Sequence, residues 1–314
     1  MINRAMVSAT PKAKATANRR ARRDNWTGWL MASPWMIGFV LFTLGPIIIS
    51  VVISFMDWNL LAKPKFVGLY NYKKMLFDDP QVWKSAWLTT YYSIVSVPLL
   101  LIFGFLLALM LNRKIRGLSF WRTVYYLPSI ISGVAVSLLW EWVFSTDFGI
   151  LNYLLRFIGI SKINWLGSEH WVIPSLVMMS LWTVGSSMVI NLAGLQNIPT
   201  SLYEAAKVDG ASSFKQLLHI TVPMMTPIIF LNLITGLIHS FQTFTNAYVM
   251  TGGGPNKASM FYMLYLYINA FGSFNMGYAS ALAWMLFVYI LFLTLIVFVS
   301  GRYWVHYEGG DGKR

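Results

Sequence analysis

Residues 30–56 read LMASPWMIGFVLFTLGPIIISVVISFM and carry no formal charge. A helix of about 20 residues crosses the ~30 Å hydrocarbon core of a bilayer, so a run of this length and polarity belongs inside one. Further stretches of the same kind lie at 86–111, 123–144, 171–192, 225–248 and 277–300. The expected fold is therefore an all-α membrane protein with six transmembrane helices, residues 30–300, between a basic tail at 1–29 and a short tail at 301–314. Composition agrees: the chain is 57% hydrophobic and 11% charged, against roughly a quarter charged in a soluble domain. The first run is too long for the core of a secretory signal and lacks a cleavage-like polar end, so it reads as a retained helix.

Positive residues resist translocation and mark the cytoplasmic side. Of the 24 Lys and Arg, 16 fall in the two tails and the loops 112–122 and 193–224, with Arg4, Lys12, Lys14, Arg19, Arg20, Arg22 and Arg23 in the first tail alone. The other side holds 8, five of them in its first loop. Both termini are thus expected in the cytoplasm. Topology and attraction to anionic lipid account for the net charge of +13, and no basic helix interleaved with aromatics suggests nucleic acid. With no cysteine, disulfide, thiolate and cysteine-ligated metal chemistry are excluded. Most tryptophans fall near span ends, where indole favours the headgroups. Trp182 and Trp284 lie deep in the fourth and sixth spans, where the indole N–H needs either a helix-packing partner or a wet pathway.

Residues 203–223, YEAAKVDGASSFKQLLHITVP, form the polar part of the longest inner loop. Ser201 and Glu204 make an S-x-x-E capping box for a short helix. Gly210 supplies the left-handed residue that ends it, a second helix restarts at Ser213 with Gln216 three later, and Pro223 is expected to stop that one. Leu202, Ala205, Ala206 and Asp209 share the faces of the first helix and leave a small, smooth surface. A solvated connector is one reading. A docking knob fits better, because alanines anchor poorly in lipid but admit close backbone approach.

This segment resembles the EAA loop of permease subunits of ABC importers, with Glu204, Ala205, Ala206, Asp209, Gly210, Ala211, Ile220 and Pro223 at matching positions and Val222 where Leu is usual. FVGLYNY at 66–72, FGILNYLL at 148–155 and TGGGP at 251–255 narrow the resemblance to the carbohydrate, maltose-transporter-type branch, and to the first permease of its heterodimeric pair. The resemblance implies a coupling loop at 199–223 and a bacterial inner-membrane location. It also implies a second homologous permease, two cytosolic ATPase subunits holding ATP and Mg, an extracytoplasmic solute-binding protein and a sugar substrate. This chain itself would hold no cofactor. TGGGPNKAS is not a phosphate loop, since the G-x-x-x-x-G-K-[ST] order is absent; it reads as a turn of residues able to take positive φ.

Transport needs a route rather than a nucleophile. In GLIHSFQTFTNAYV of the fifth span, His239, Gln242 and Asn246 recur at i, i+3 and i+7, and a polar stripe avoids lipid. It is read as a substrate pathway, with Thr243 off its face and helix-to-helix hydrogen bonding as the alternative. Asn191 and Gln196 are read as cap or gate contacts. Glu141, flanked by Trp140 and Trp142, is read as an interfacial carboxylate. The function so implied is import of a sugar or oligosaccharide, with a glycerol phosphate ester or other polyol as the alternative. A membrane enzyme is disfavoured, because His239 and Glu141 sit at different depths.

Overall fold

The computed structural model describes residues 26–113 and 116–306. Most of both expected tails, 1–25 and 307–314, and Lys114 of the orientation count lie outside the described residues. Among the described residues, four helices are long and apolar enough to cross a membrane: α1 (Trp26–Ser54), α3 (Pro80–Leu111), α10 (Ser213–Phe241) and α13 (Met276–Trp304). Two bent pairs raise the number of crossings to as many as six. The first is α4 (Leu118–Tyr126) with its 3₁₀ turn Leu127–Ser129, followed by α5 (Gly133–Val143), bent by 95°. The second is α7 (Val172–Trp182) with α8 (Gly185–Asn197), bent by 47°.

These bends correct the expectation of continuous third and fourth spans. Pro128 and Gly133 bracket the first break, and proline removes a ladder donor while glycine holds a helix weakly. At the second, the Thr183 hydroxyl donates back to the Ser180 carbonyl at 2.8 Å. The two breaks press on each other, for a Cβ at Gly185 would lie 2.4 Å from the Tyr125 carbonyl oxygen.

Prolines elsewhere are passed rather than obeyed. Pro223 does not stop the loop helix: the chain runs on through a π-turn at Leu217–Thr221 into α10. A proline ring crowds the carbonyl four residues back, and widening one turn to i→i+5 bonding relieves that contact. The same device, a π-turn at Val40–Leu44, carries α1 past Pro46.

Short elements join the long ones. A two-residue antiparallel ladder, β1 (Met56–Asp57) with β2 (Lys65–Phe66), leads to α2 (Tyr70–Lys73). Helices α6 (Ile150–Phe157), α9 (Thr200–Val208), α11 (Thr245–Thr251) and α12 (Tyr262–Tyr267) complete the set. Helix α3 is central, packing on α7, α8, α10 and α12. Around it lie apolar clusters centred on Leu176, Met179 and Phe261, on Met75, Phe241 and Leu282, and on Ala108, Met188 and Met225. Polar links join spans across the bundle, with the Asn232 amide donating to Asn191 Oδ1 at 3.2 Å and Thr90 bonded to Tyr289 at 3.0 Å. Asn191 is therefore a buried helix-to-helix contact, while Gln196 is exposed.

Candidate functional site

A cavity of about 600 Å³ opens among α3, the two bent pairs and α10–α11. Each break borders it: Pro128, Ser129 and Gly133 from the first, Thr183 and Val184 from the second, and Thr243 from a third. That third break ends α10 at Phe241, where Gln242 N–H and Thr243 N–H bond only three residues back, at 3.2 and 3.3 Å. Irregular backbone at membrane depth is tolerated where it lines such a space. Along the wall, hydroxyl and amide groups and the His239 ring are set among mostly apolar side chains, and among the described residues no Asp, Glu, Lys or Arg lines it.

His239 and Asn246 lie on this wall, Asn246 also accepting from the Ser137 hydroxyl at 3.3 Å. Gln242 does not. It is exposed outside the cavity, and Thr243, placed off the face by a continuous-helix wheel, lines it instead. The break re-phases the chain between His239 and Asn246. Trp182 and Trp284 are also absent from the wall. Trp182 packs edge-on against Trp140 at 6.1 Å, and the Trp284 indole donates to Ser50 Oγ at 3.2 Å, tying α13 to α1. Both make contacts between helices. Glu141 is exposed on α5.

The helix pair at 200–216 is built as expected in outline and differently at its first cap. Ser201 is not the cap: Pro199, extended at ψ 127°, starts α9 at Thr200 with no side-chain cap bond. Residue 198 is held extended by the proline that follows, which moves the helix start forward. The C-terminus is a full Schellman motif: Gly210 stands at φ +73°, its N–H bonds to Lys207 O at 3.1 Å, and Ala211 N–H bonds to Ala206 O at 2.8 Å. The next helix restarts at Ser213 as expected, capped by Ser212, and Gln216 donates to the Ala211 carbonyl at 2.9 Å. Glu204, Ala205, Lys207 and Asp209 are exposed, with Val208 at 88% and Phe214 at 68%. One latch, Tyr203 OH to Thr221 Oγ1 at 2.9 Å, joins α9 to the root of α10.

The other motifs prove to be fastenings. The Asn71 amide donates to the Ser54 and Met56 carbonyls, both at 2.9 Å, and so holds the end of α1. Asn152 ties its own loop in the same manner. The TGGGP turn takes positive φ at Gly252, Gly253, Asn256 and Lys257, and a helix rather than a strand leads into it. Sequence reasoning missed Asp79, which caps α3 and accepts from both Tyr265 and Tyr278. Burial, then the bond to Asp79, pushes the Tyr265 phenol up to about 12, so it remains a donor.

A wall that offers hydrogen bonds to a solute, at the meeting of broken membrane helices, is the equipment of a membrane transport subunit. Residues 100–305 match the family described as binding-protein-dependent transport system inner membrane component, and the chain belongs to it. It is 45% identical over 298 residues to the probable ABC transporter permease protein YesP of Bacillus subtilis, covering 94% of this chain and 96% of that one. It is 33% identical to the trehalose/maltose transport system permease protein MalF of Thermococcus litoralis, over 90% and 95% of the two chains. Among solved structures, it is similar to a chain of a bacterial ABC transporter involved in the import of the acidic polysaccharide alginate, with a TM-score of 0.80 at 25% identity over 91% of this chain and 98% of that one.

Proposed function

We propose that this chain is the first permease of a heterodimeric carbohydrate ABC importer. It crosses the inner membrane six times with both termini in the cytoplasm, each bent pair counting as one span. With a second permease it forms an alternating-access pathway for a sugar or oligosaccharide delivered by an extracytoplasmic binding protein. ATP, with Mg, is hydrolysed on two separate ATPase subunits that receive the loop 199–223.

The observation that carries the reading is a cavity whose apolar lining carries hydroxyl and amide groups and, among the described residues, no Asp, Glu, Lys or Arg. Hydroxyl and amide groups pair with sugar hydroxyls, and their burial is tolerated only when paired. A glycerol phosphate ester would want a cation, and among the described residues no Lys or Arg lines the wall. The names of the maltose and alginate relatives support the same class of solute. At the other end, Glu204, Ala205, Ala206, Asp209, Gly210 and Ala211 belong to a largely exposed helix pair whose second member begins α10, and Pro223 lies farther along α10.

The test is Ala205→Trp in the purified complex reconstituted with its ATPases and sugar-loaded binding protein. Assembly should persist and coupled ATP hydrolysis should be lost. Wild-type coupled rates would remove the docking role of this loop.

A further inference from the structure

The loop between the two bent pairs, residues 144–171, holds a feature away from the cavity wall and from the helix pair at 200–216. Helix α6 is locked in rotation by Asn152, whose amide donates to Thr146 O at 3.0 Å and Ile163 O at 2.9 Å and accepts from Ile163 N–H and Trp165 Nε1–H, both at 3.1 Å. That exhausts nearly all a carboxamide offers. Gly149 fixes the start of the helix, since a Cβ there would lie 2.3 Å from the Ser145 carbonyl oxygen. So held, α6 seats Leu151 and Leu155 against the core beside Phe144 and Trp165. The other side carries Ile150, Tyr153, Leu154 and Phe157, a stripe at i, i+3, i+4 and i+7, and Ile158 extends it. All five are exposed, Phe157 to 72%.

A helix apolar on both sides needs a second apolar phase outside the protein. We propose that α6 is an interfacial helix, its outer stripe sunk into the headgroup–acyl boundary of the adjoining leaflet and Arg156 against lipid phosphate. Three observations favour lipid over a docking protein. The stripe holds one polar atom, the Tyr153 hydroxyl, whereas surfaces that bind and release partners are only a little over half apolar. It follows in the chain on the exposed apolar side chains of α5, where Leu138, Leu139 and Trp142 stand just before the loop. Arg156, exposed at the last turn, stands outside the one ion pair among the described residues, Lys162–Asp147 at 2.8 Å, which is the placement of a basic residue on a helix lying in the interface. The proposal concerns how the chain is seated in the membrane and does not depend on the solute.

The chain has no cysteine, so Phe157→Cys and Lys162→Cys each carry a single bimane label. The assembled importer is placed in nanodiscs of phosphatidylglycerol and phosphatidylcholine, with plain or brominated acyl chains. Brominated lipid should quench the label at 157 about twofold or more beyond that at 162, and aqueous iodide should show the reverse order. Tyr153→Cys, one turn away, replaces Phe157→Cys should that variant not assemble. Equal iodide quenching at the two positions overturns the proposal. So does shielding of position 157 from both quenchers, which would place a protein subunit there, and so does protection that appears only with the solute-binding protein.

Discussion

Thr243 and Gln242 are neighbours on opposite sides of the cavity boundary, and exchanging their expected roles gives the sharpest test of the site. Thr243→Val keeps the shape of the side chain and deletes only the hydroxyl on the cavity wall. A neutral hydrogen bond contributes a net ~0.5–1.5 kcal/mol, and each 1.4 kcal/mol is about tenfold. Sugar uptake at subsaturating solute should therefore fall roughly 2- to 13-fold. Gln242→Ala, exposed outside the wall, should stay within about twofold of wild type. The assay is uptake into proteoliposomes holding the complete importer, with basal ATPase activity and thermal midpoint measured in parallel to show that assembly is intact. A loss in Gln242→Ala equal to or larger than that in Thr243→Val would mean that the polar face runs unbroken through the fifth span and that the cavity is not the route.

Gly210→Val should strain a position held at φ +73°, costing about 1–2 kcal/mol or more for a branched residue, and should lower coupled ATPase activity while the two permeases still co-purify. Tyr203→Phe removes the latch to Thr221 without touching the exposed face of α9, so ATP hydrolysis should persist with less solute moved per ATP; unchanged stoichiometry would show that the latch transmits nothing. Gly277→Ala would place a Cβ 1.9 Å from the Met56 carbonyl oxygen, and overpacking of this kind costs about 1–3 kcal/mol or more, read as a lower thermal midpoint in nanodiscs. A cysteine at Lys207 should label only from the cytoplasm and one at Asn256 only from outside, and the reverse pattern would invert the proposed orientation.

The membrane-crossing segments were legible because hydropathy is a sum over many residues and survives local error. Breaks within them were not, because Pro128, Gly133 and Thr183 scarcely change such a sum and yet decide whether the ladder continues. A helical wheel is valid only as far as its helix, so the stripe His239, Gln242, Asn246 lost its middle member at the turn after Phe241. Pro223 failed as a stop signal for the opposite reason: one widened turn let the helix pass it. Asn71 and Asn152 were visible in their motifs, but that each would tie backbone carbonyls depends on which chain segments the fold brings alongside.

Three breaks meeting at one cavity has a mechanical consequence. Backbone that is already irregular turns at lower cost than an intact helix, so in the proposed alternating-access cycle these breaks are where the segments bordering the cavity would reorient. Helix α10 is the exception in that set. Its 29 residues run as one continuous element from Ser213, within the exposed helix pair, to Phe241 at the edge of the break. In the proposed coupling role, a displacement of the pair would be carried by Tyr203–Thr221 and by that unbroken length to the wall residue His239, with Thr243 just past the break. The π-turn at Leu217–Thr221 is what makes the path continuous. Had Pro223 ended the helix, the exposed knob and the cavity would have been joined only by a loop, and a push at one end would have been absorbed before it reached the other.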